Sequence, residues 1–431
     1  MHKNAMPADG RAAIRGGIVG NYVDQIHIFL PVTALAPALG TLAGPHAAVS
    51  TGVFVIIATL LGRPIGAMVF GLIADRVGRT VTTKVAIAGT AACTAGIAAM
   101  PTHAAIGAWA IALVIVLRFL GGAFLAGEYT SAIPLAMEWS KPRSRGLVSG
   151  LIMSMAPLAQ GTIALVTVLW LIGVGPASYA AWGWRVSFAA GAIASVVVLF
   201  YYARRVKDAP VFVPNRAGGP RLWALLAGRH ARSFWQMFGL MTGLWFMTNM
   251  VVIQLTLRLA TDVGLVAHDV SWVMLAASVA QAVFMAIAGH LSTWLGRRRL
   301  FVLWGLGAAL LGPVLWGLIL SGGPAWQLAV LAGLLHVVTV CAYGPIGAYL
   351  NEGFPTAIRA TGYGTAYSLS IVIPALHPFY LPLLESWFGR SAAPMLLIAL
   401  GGLLVAGCAM AGPRLSPREL DAGLDAVAAR A

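Results

Sequence analysis

The chain is poor in charge. Asp, Glu, Lys and Arg make up 10% of its 431 residues, against roughly 25% in soluble domains. Acids are the scarcer sign, 13 against 28 lysines and arginines. A water-facing globular surface cannot be built from so few ionised side chains, which excludes an ordinary soluble domain. Cysteine is nearly missing as well. Cys93, Cys341 and Cys408 are odd in number and lie in or near apolar stretches, so a disulfide framework or a metal cluster is not expected. No Gly-x-x-x-x-Gly-Lys loop occurs, which argues against ATP drive. No nucleophile–base motif points to an enzyme either.

Apolar residues are what the chain has, 59% of the total. Stretches of about 20 residues recur along its length, each able to cross a hydrocarbon core of about 30 Å. Twelve such spans are expected, at approximately 16–39, 49–73, 81–100, 106–137, 146–173, 184–203, 233–258, 270–291, 300–320, 326–350, 359–386 and 391–412. The fold class is therefore an all-α integral membrane protein. The first fifteen residues are polar and basic without a small-residue cleavage site, so the first span is expected to be retained.

A formal charge of +15 invites a nucleic-acid reading, and the placement of the charges rejects it. Of the 28 basic residues, 23 fall on alternate segments on one side of the helix count, including Arg76, Arg79, Arg145, Arg297–Arg299 and Arg359. That asymmetry is the positive-inside pattern, with both termini cytoplasmic. The partner implied is a lipid bilayer, the bacterial inner membrane.

The longest polar interval, 204–232, splits the spans six and six. The expected organisation is a short cytoplasmic segment (1–15), a six-helix bundle (16–203), a cytoplasmic linker (204–232), a second bundle (233–412) and a cytoplasmic tail (413–431). The halves repeat each other. Gly71, Gly78 and Arg79 of "GLIADRVGRT" align with Gly289, Gly296 and Arg297 of "GHLSTWLGRRR". Glu138 and Arg145 of "EWSKPRSRG" align with Glu352 and Arg359 of "EGFPTAIRATG". Both pairs share an offset of about 215 residues, which is stronger than either match alone. Two related bundles with pseudo-two-fold symmetry form a transporter architecture, with a solute site near the midplane.

At these residues the chain resembles a known family. "GLIADRVGR" is similar to the loop motif of the major facilitator superfamily, and "RFLGG", Arg118 to Gly122, to its fourth-helix motif. "GRPIGAMVFG", "AGEY", "WGWRVSF" and "RRVKDAPVF" resemble the metabolite:proton symporter branch, whose members carry carboxylates, proline or betaine. The stretch from Glu352 to Gly364 resembles the sialate and sugar porters. The resemblance covers the first to the eleventh span and implies alternating access. Two departures stand out. Thr293 occupies the position of Asp75 in the second half, and the first helix carries Asp24 and His27 where the branch has two acids.

An ionised side chain at the bilayer centre costs about 2.5–3.5 kcal/mol even on mild insertion scales, so intramembrane acids are functional by default. Asp24 and His27 stand three residues apart on one helical face and are expected to share an exchangeable proton, with Glu128 as a further carrier. Arg118 has no acid within one turn and is read as a fork for a solute carboxylate or a competitor for Asp24. Arg63 and Glu128 are expected to pair. Trp245 and Asn249, at i and i+4, with His27, Gln160, Tyr343, Tyr367 and His377, are candidate solute contacts; packing is the competing reading for each. The gating set is Gly71, Asp75, Arg76, Gly78, Arg79, Glu138, Arg145, Glu352 and Arg359, an ionic clasp rather than a solute site.

These residues lead to a proton-coupled importer of a small organic anion, acting as a monomer with no cofactor beyond the coupling proton. The alternatives are a proton-antiporting exporter on the same fold and a membrane receptor without turnover.

Overall fold

A computed structural model describes residues 6–44, 49–212 and 222–430. Lys3 and the linker stretch 213–221 lie outside the described residues. Among those described, helices and turns account for the whole architecture and no strand occurs.

Ten helices are long and apolar enough to cross a membrane, and twelve spans result when two bent pairs are each taken as one. The protein is a multi-pass, all-α membrane protein. The helices that matter here are α1 (Ala8–Phe29), α2 (Val49–Val77), α3 (Arg79–Ala98), α4 (Trp109–Trp139), α5 (Arg145–Val174) and α6 (Trp184–Arg205). They are followed by α7 (Ala231–Thr248), α8 (Leu255–Thr261), α9 (Ala267–Leu295), α10 (Arg297–Leu320) and α11 (Ala325–Thr339). The last four spanning pieces are α12 (Ile346–Glu352), α13 (Arg359–Leu369), α14 (His377–Phe388) and α15 (Ala392–Ala411).

The bends have local causes. The first span turns by 44° between its pieces Ala8–Ala34 and Ala36–Ala43, where Pro31 sits in a π turn and Pro37 in a 3-10 turn. Proline withholds the N–H that would continue the ladder. The eleventh span bends by 48° before His377, with Pro374 just ahead of the break and Pro378 just after it. Between α7 and α8 a π turn runs from Asn249 to Gln254. There the Asn249 amide donates to the Trp245 carbonyl at 2.8 Å, competing with the backbone for an acceptor one turn back.

The chain divides into two compact units, Met1–Trp139 with Ala159–Gly219, and Ser140–Leu158 with Pro220–Ala431. The first stretch of α5 thus packs with the second unit and the remainder with the first. In the first unit α2 and α4 approach backbone to backbone. A Cβ at Gly66 would strike the Ala123 main chain, and one at Gly122 the Thr59 carbonyl. Small residues at such crossings are how helices associate in lipid, where no hydrophobic drive exists between them. This close approach sets the neighbours Arg63 and Glu128 into the same interior as Asp24.

Candidate functional site

Among the described residues of the first unit, Asp24, His27, Arg63, Arg118 and Glu128 lie well inside the spans and are each at most 4% exposed. They form two groups. In the first, the Asp24 and Glu128 carboxyls are hydrogen-bonded to each other across α1 and α4. Bare carboxylates have no donor, so such a bond holds one proton between two acids. Gly20 admits the approach, since a Cβ there would lie 2.9 Å from Glu128 Oε1. Arg63 acts electrostatically on Asp24 and places its guanidinium 5.6 Å from the Tyr129 ring centre. The Gln25 amide donates to the Tyr129 hydroxyl at 3.0 Å, fixing that ring beside the acids.

The second group is organised by His27. Its Nε2 lies 2.6 Å from Ser195 Oγ on α6 and its Nδ1 3.1 Å from Thr94 Oγ1 on α3. Its carbonyl accepts from Arg118 Nη2 at 2.7 Å, while Arg118 Nε donates to Thr59 Oγ1 at 3.0 Å. Asp24 and His27 therefore have separate partners, and Glu128 pairs with Asp24. Arg118 spends two of its five N–H donors on neutral oxygens. It meets no carboxylate among the described residues and is left as a fixed cation with donors to spare.

In the second unit an aromatic group collects around Trp245. Its ring meets Tyr343 edge-on at 5.5 Å and Tyr367 at 5.4 Å between centres, and its Nε1 donates to the Tyr367 carbonyl at 3.2 Å. Tyr363 stacks on Tyr367 at 5.9 Å. The tyrosines are buried and Trp245 is partly open. His377 is held by the Pro374 carbonyl at 3.1 Å, and His336 by Gln281 at 2.7 Å. Gln160 lies on the part of α5 that packs with the first unit, partly buried.

The loop motifs build the same ion pair twice. Arg79 reaches Glu138 at 3.2 Å and Asp75 at 2.8 Å. Its counterpart Arg297 reaches Glu352 at 2.9 Å. Where Asp75 stands in the first half, Ser292 and Thr293 accept from Arg297 in the second, so hydroxyls replace the missing acid. Arg145 also reaches Glu352, at 3.4 Å. Gly71 is buried one turn before Asp75, Gly78 has φ 130° between α2 and α3, and Arg76 is exposed.

Several participants escaped the sequence reading. Asp208 accepts from the Thr80 amide at 2.8 Å and its hydroxyl at 2.9 Å, capping α3. It lies in "RRVKDAPVF", a stretch singled out for resemblance without a role. Asp425 accepts from the Thr356 amide and from Arg359 Nη2, both at 2.7 Å. Asp421 takes Arg143 at 2.9 Å, and the Ala422 carbonyl takes Arg145 at 3.2 Å. The segment is anchored by buried Leu420, Leu424 and Val427. Its signal was the Ser-Pro-Arg-Glu capping box from Ser416 to Glu419, which marks a helix start. Arg258 and Asp262, by contrast, stand out in the sequence as an anchor at the end of the seventh span; Arg258 joins Asp262 at 2.9 Å and Glu385 of α14, while Arg390 joins Asp262 at 2.7 Å.

The chain is similar to known proteins in sequence and in fold. The Major Facilitator Superfamily family model matches residues 25–257. The inner membrane metabolite transport protein YhjE of Escherichia coli is 30% identical over 378 residues, 83% of this chain and 83% of the relative. The proline/betaine transporter of Salmonella typhimurium is 26% identical over 411 residues, 90% of this chain and 80% of its own. The alpha-ketoglutarate permease of Escherichia coli is 29% identical over 356 residues, 80% and 78% of the two chains. In fold, the chain is similar to the proton:xylose symporter XylE bound to 6-bromo-6-deoxy-D-glucose, with a TM-score of 0.78 at 16% identity over 94% of this chain and 95% of that one. By the span of the family match and the extent of the YhjE likeness, the chain belongs to the major facilitator superfamily of membrane transporters.

Proposed function

We propose that the chain is a proton-coupled symporter that takes up a small organic anion, with both termini cytoplasmic. The observation that carries this reading is the hydrogen-bonded carboxyl pair Asp24–Glu128, 2% and 4% exposed in a membrane-spanning bundle. Two acids in such a place hold a proton that one acid with a permanent cation would not. Arg118 supplies the anion site. Its guanidinium is fixed by two neutral oxygens and keeps N–H donors for the two oxygens of a carboxylate. The relatives support the class, since one is named for alpha-ketoglutarate and others for metabolites.

A second reading has its own observation. The partly open Trp245 ring with Tyr343 and Tyr367 beside it suits the cationic end of a zwitterion by cation–π attraction, and three relatives are named for proline and betaine. Purified protein in liposomes distinguishes these. Labelled 2-oxoglutarate and glycine betaine are offered under an inward proton gradient, an outward one, and none. Accumulation of 2-oxoglutarate only with the inward gradient supports the anion symporter. Betaine accumulation instead moves the solute class to zwitterions. Uptake against an outward-directed solute load driven by the opposite gradient makes the chain an exporter, and overturns the proposal.

A further inference from the structure

We propose that Tyr202 is a positioning residue of the proton site: its hydroxyl is the donor that receives the Glu128 carboxylate once the Asp24–Glu128 pair has released its proton. This rests on the reading of that pair as the coupling site.

Tyr202 lies on α6 with its side chain fully buried, in an apolar cluster with Ala13, Val23, Leu135 and Val198. Its hydroxyl has no hydrogen-bond partner among the described residues, although a buried phenol O–H normally finds one. The cluster would pack a phenylalanine as well, so shape alone does not account for the hydroxyl. Its position does. A Cβ at Gly20 would lie 2.9 Å from Glu128 Oε1 and 3.8 Å from the Tyr202 hydroxyl, and one at Gly16 would lie 3.2 Å from the same hydroxyl. Phenol and carboxyl thus flank one strip of α1 that carries no side chain, along which the carboxylate can swing.

Charge decides which acid needs the donor. The ionisable groups acting on the Tyr202 hydroxyl are Glu128, Asp24 and the neighbouring Tyr201. The Tyr201 hydroxyl is already committed to the Ala12 carbonyl at 3.0 Å. Arg63 acts on Asp24, and the neighbouring charge that acts on Glu128 is that of Asp24. While the pair shares its proton, each carboxyl satisfies the other. When the proton leaves, two carboxylates face each other and repel. Asp24 keeps Arg63, and Glu128 turns along the glycine strip to the unspent O–H of Tyr202. Removing that donor destabilises the ionised pair, so the proton is held to higher pH.

The test needs no solute. The carboxyl C=O stretch of the full-length protein in lipid bilayers is titrated by infrared spectroscopy, with the band assigned by its loss in Glu128→Gln. Tyr202→Phe is expected to move the titration midpoint toward alkaline pH by about one unit, a tenfold gain in proton affinity, the scale of one hydrogen bond to an ion. A fluorinated tyrosine at the same position keeps the packing and strengthens the donor, so it is expected to move the midpoint the opposite way. A midpoint unmoved by both changes overturns the inference. Absence of any titrating carboxyl band in the unaltered protein would instead overturn the reading of the pair itself.

Discussion

At the scale of single residues, the proposed function divides the work of the two buried groups of the first unit between a proton and an anion. Asp24→Asn replaces an acid by an amide that cannot exchange a proton but still bonds to Glu128. Accumulation driven by a pH gradient is expected to vanish, while solute binding and solute–solute exchange persist. Continued accumulation after a pH jump would place the coupling proton elsewhere. Arg118→Lys tests the other group. An ammonium carries the charge but cannot span the His27 carbonyl, the Thr59 hydroxyl and a carboxylate with a planar fork. Apparent solute affinity is expected to fall about tenfold or more, the worth of a charge-assisted bond, with helix content unchanged. Equal affinity would remove Arg118 from the solute site. Asp24 and Arg118 were legible in the sequence because an ion in an apolar run stands out. The sharing of Asp24 with Glu128 was not. Residues 104 positions apart were brought together by glycine-mediated packing, and His27, only three positions away, was drawn to Thr94 and Ser195.

At the scale of elements, the repeated loop pair joins consecutive parts of each unit, and the last segment of the chain adds acids to the second. Arg359 has a fully buried side chain, and Asp425 is one of its partners. Burial raises the Asp425 carboxyl, but the Thr356 hydroxyl, Arg359 and the Thr356 amide outweigh it, so the group titrates below its usual range. A depressed carboxylate contributes stability that is fully present above the unfolded value of about 3.9 and is lost as pH falls through the folded one. The Asp425 side chain is 47% exposed, so water screens the pair, and Asp425→Asn is expected to lower the thermal midpoint at neutral pH by about 1–2 °C, the effect of about 0.5 kcal/mol in a unit of this size. The difference from the unaltered protein should start to narrow near about pH 4 and close only once the pH has fallen below the folded value. Unfolding curves in detergent at pH 7 and at about pH 2 check this. An equal deficit at both values would assign the loss to packing rather than charge. The tail's capping box was readable as a helix start, but its target was not. A lone acid at position 425 does not announce an arginine 66 residues earlier.

At the scale of the whole molecule, length and composition sufficed for the class, because twelve apolar stretches leave few alternatives. The breaks were less visible. Prolines occur both where spans bend and where they continue, as Pro64 and Pro134 do inside α2 and α4. The outcome depends on whether neighbouring helices satisfy the freed carbonyl. Orientation is the property of the whole chain that charge placement predicts most directly. The turns marked by Gly107, Gly175, Gly264, Gly322 and Gly389 carry few basic residues, whereas those at Gly78 and Gly296 are followed by Arg79 and by Arg297–Arg299. Lysine and arginine resist export, so the second set is expected on the cytoplasmic side. Alkaline phosphatase, active only after export, is expected to be active when fused after Gly107, Gly175, Gly264, Gly322 or Gly389, and inactive after Gly78 or Gly296. The reverse pattern would turn the protein over, and would place the Arg79–Glu138 and Arg297–Glu352 pairs at the outer end of the transport path.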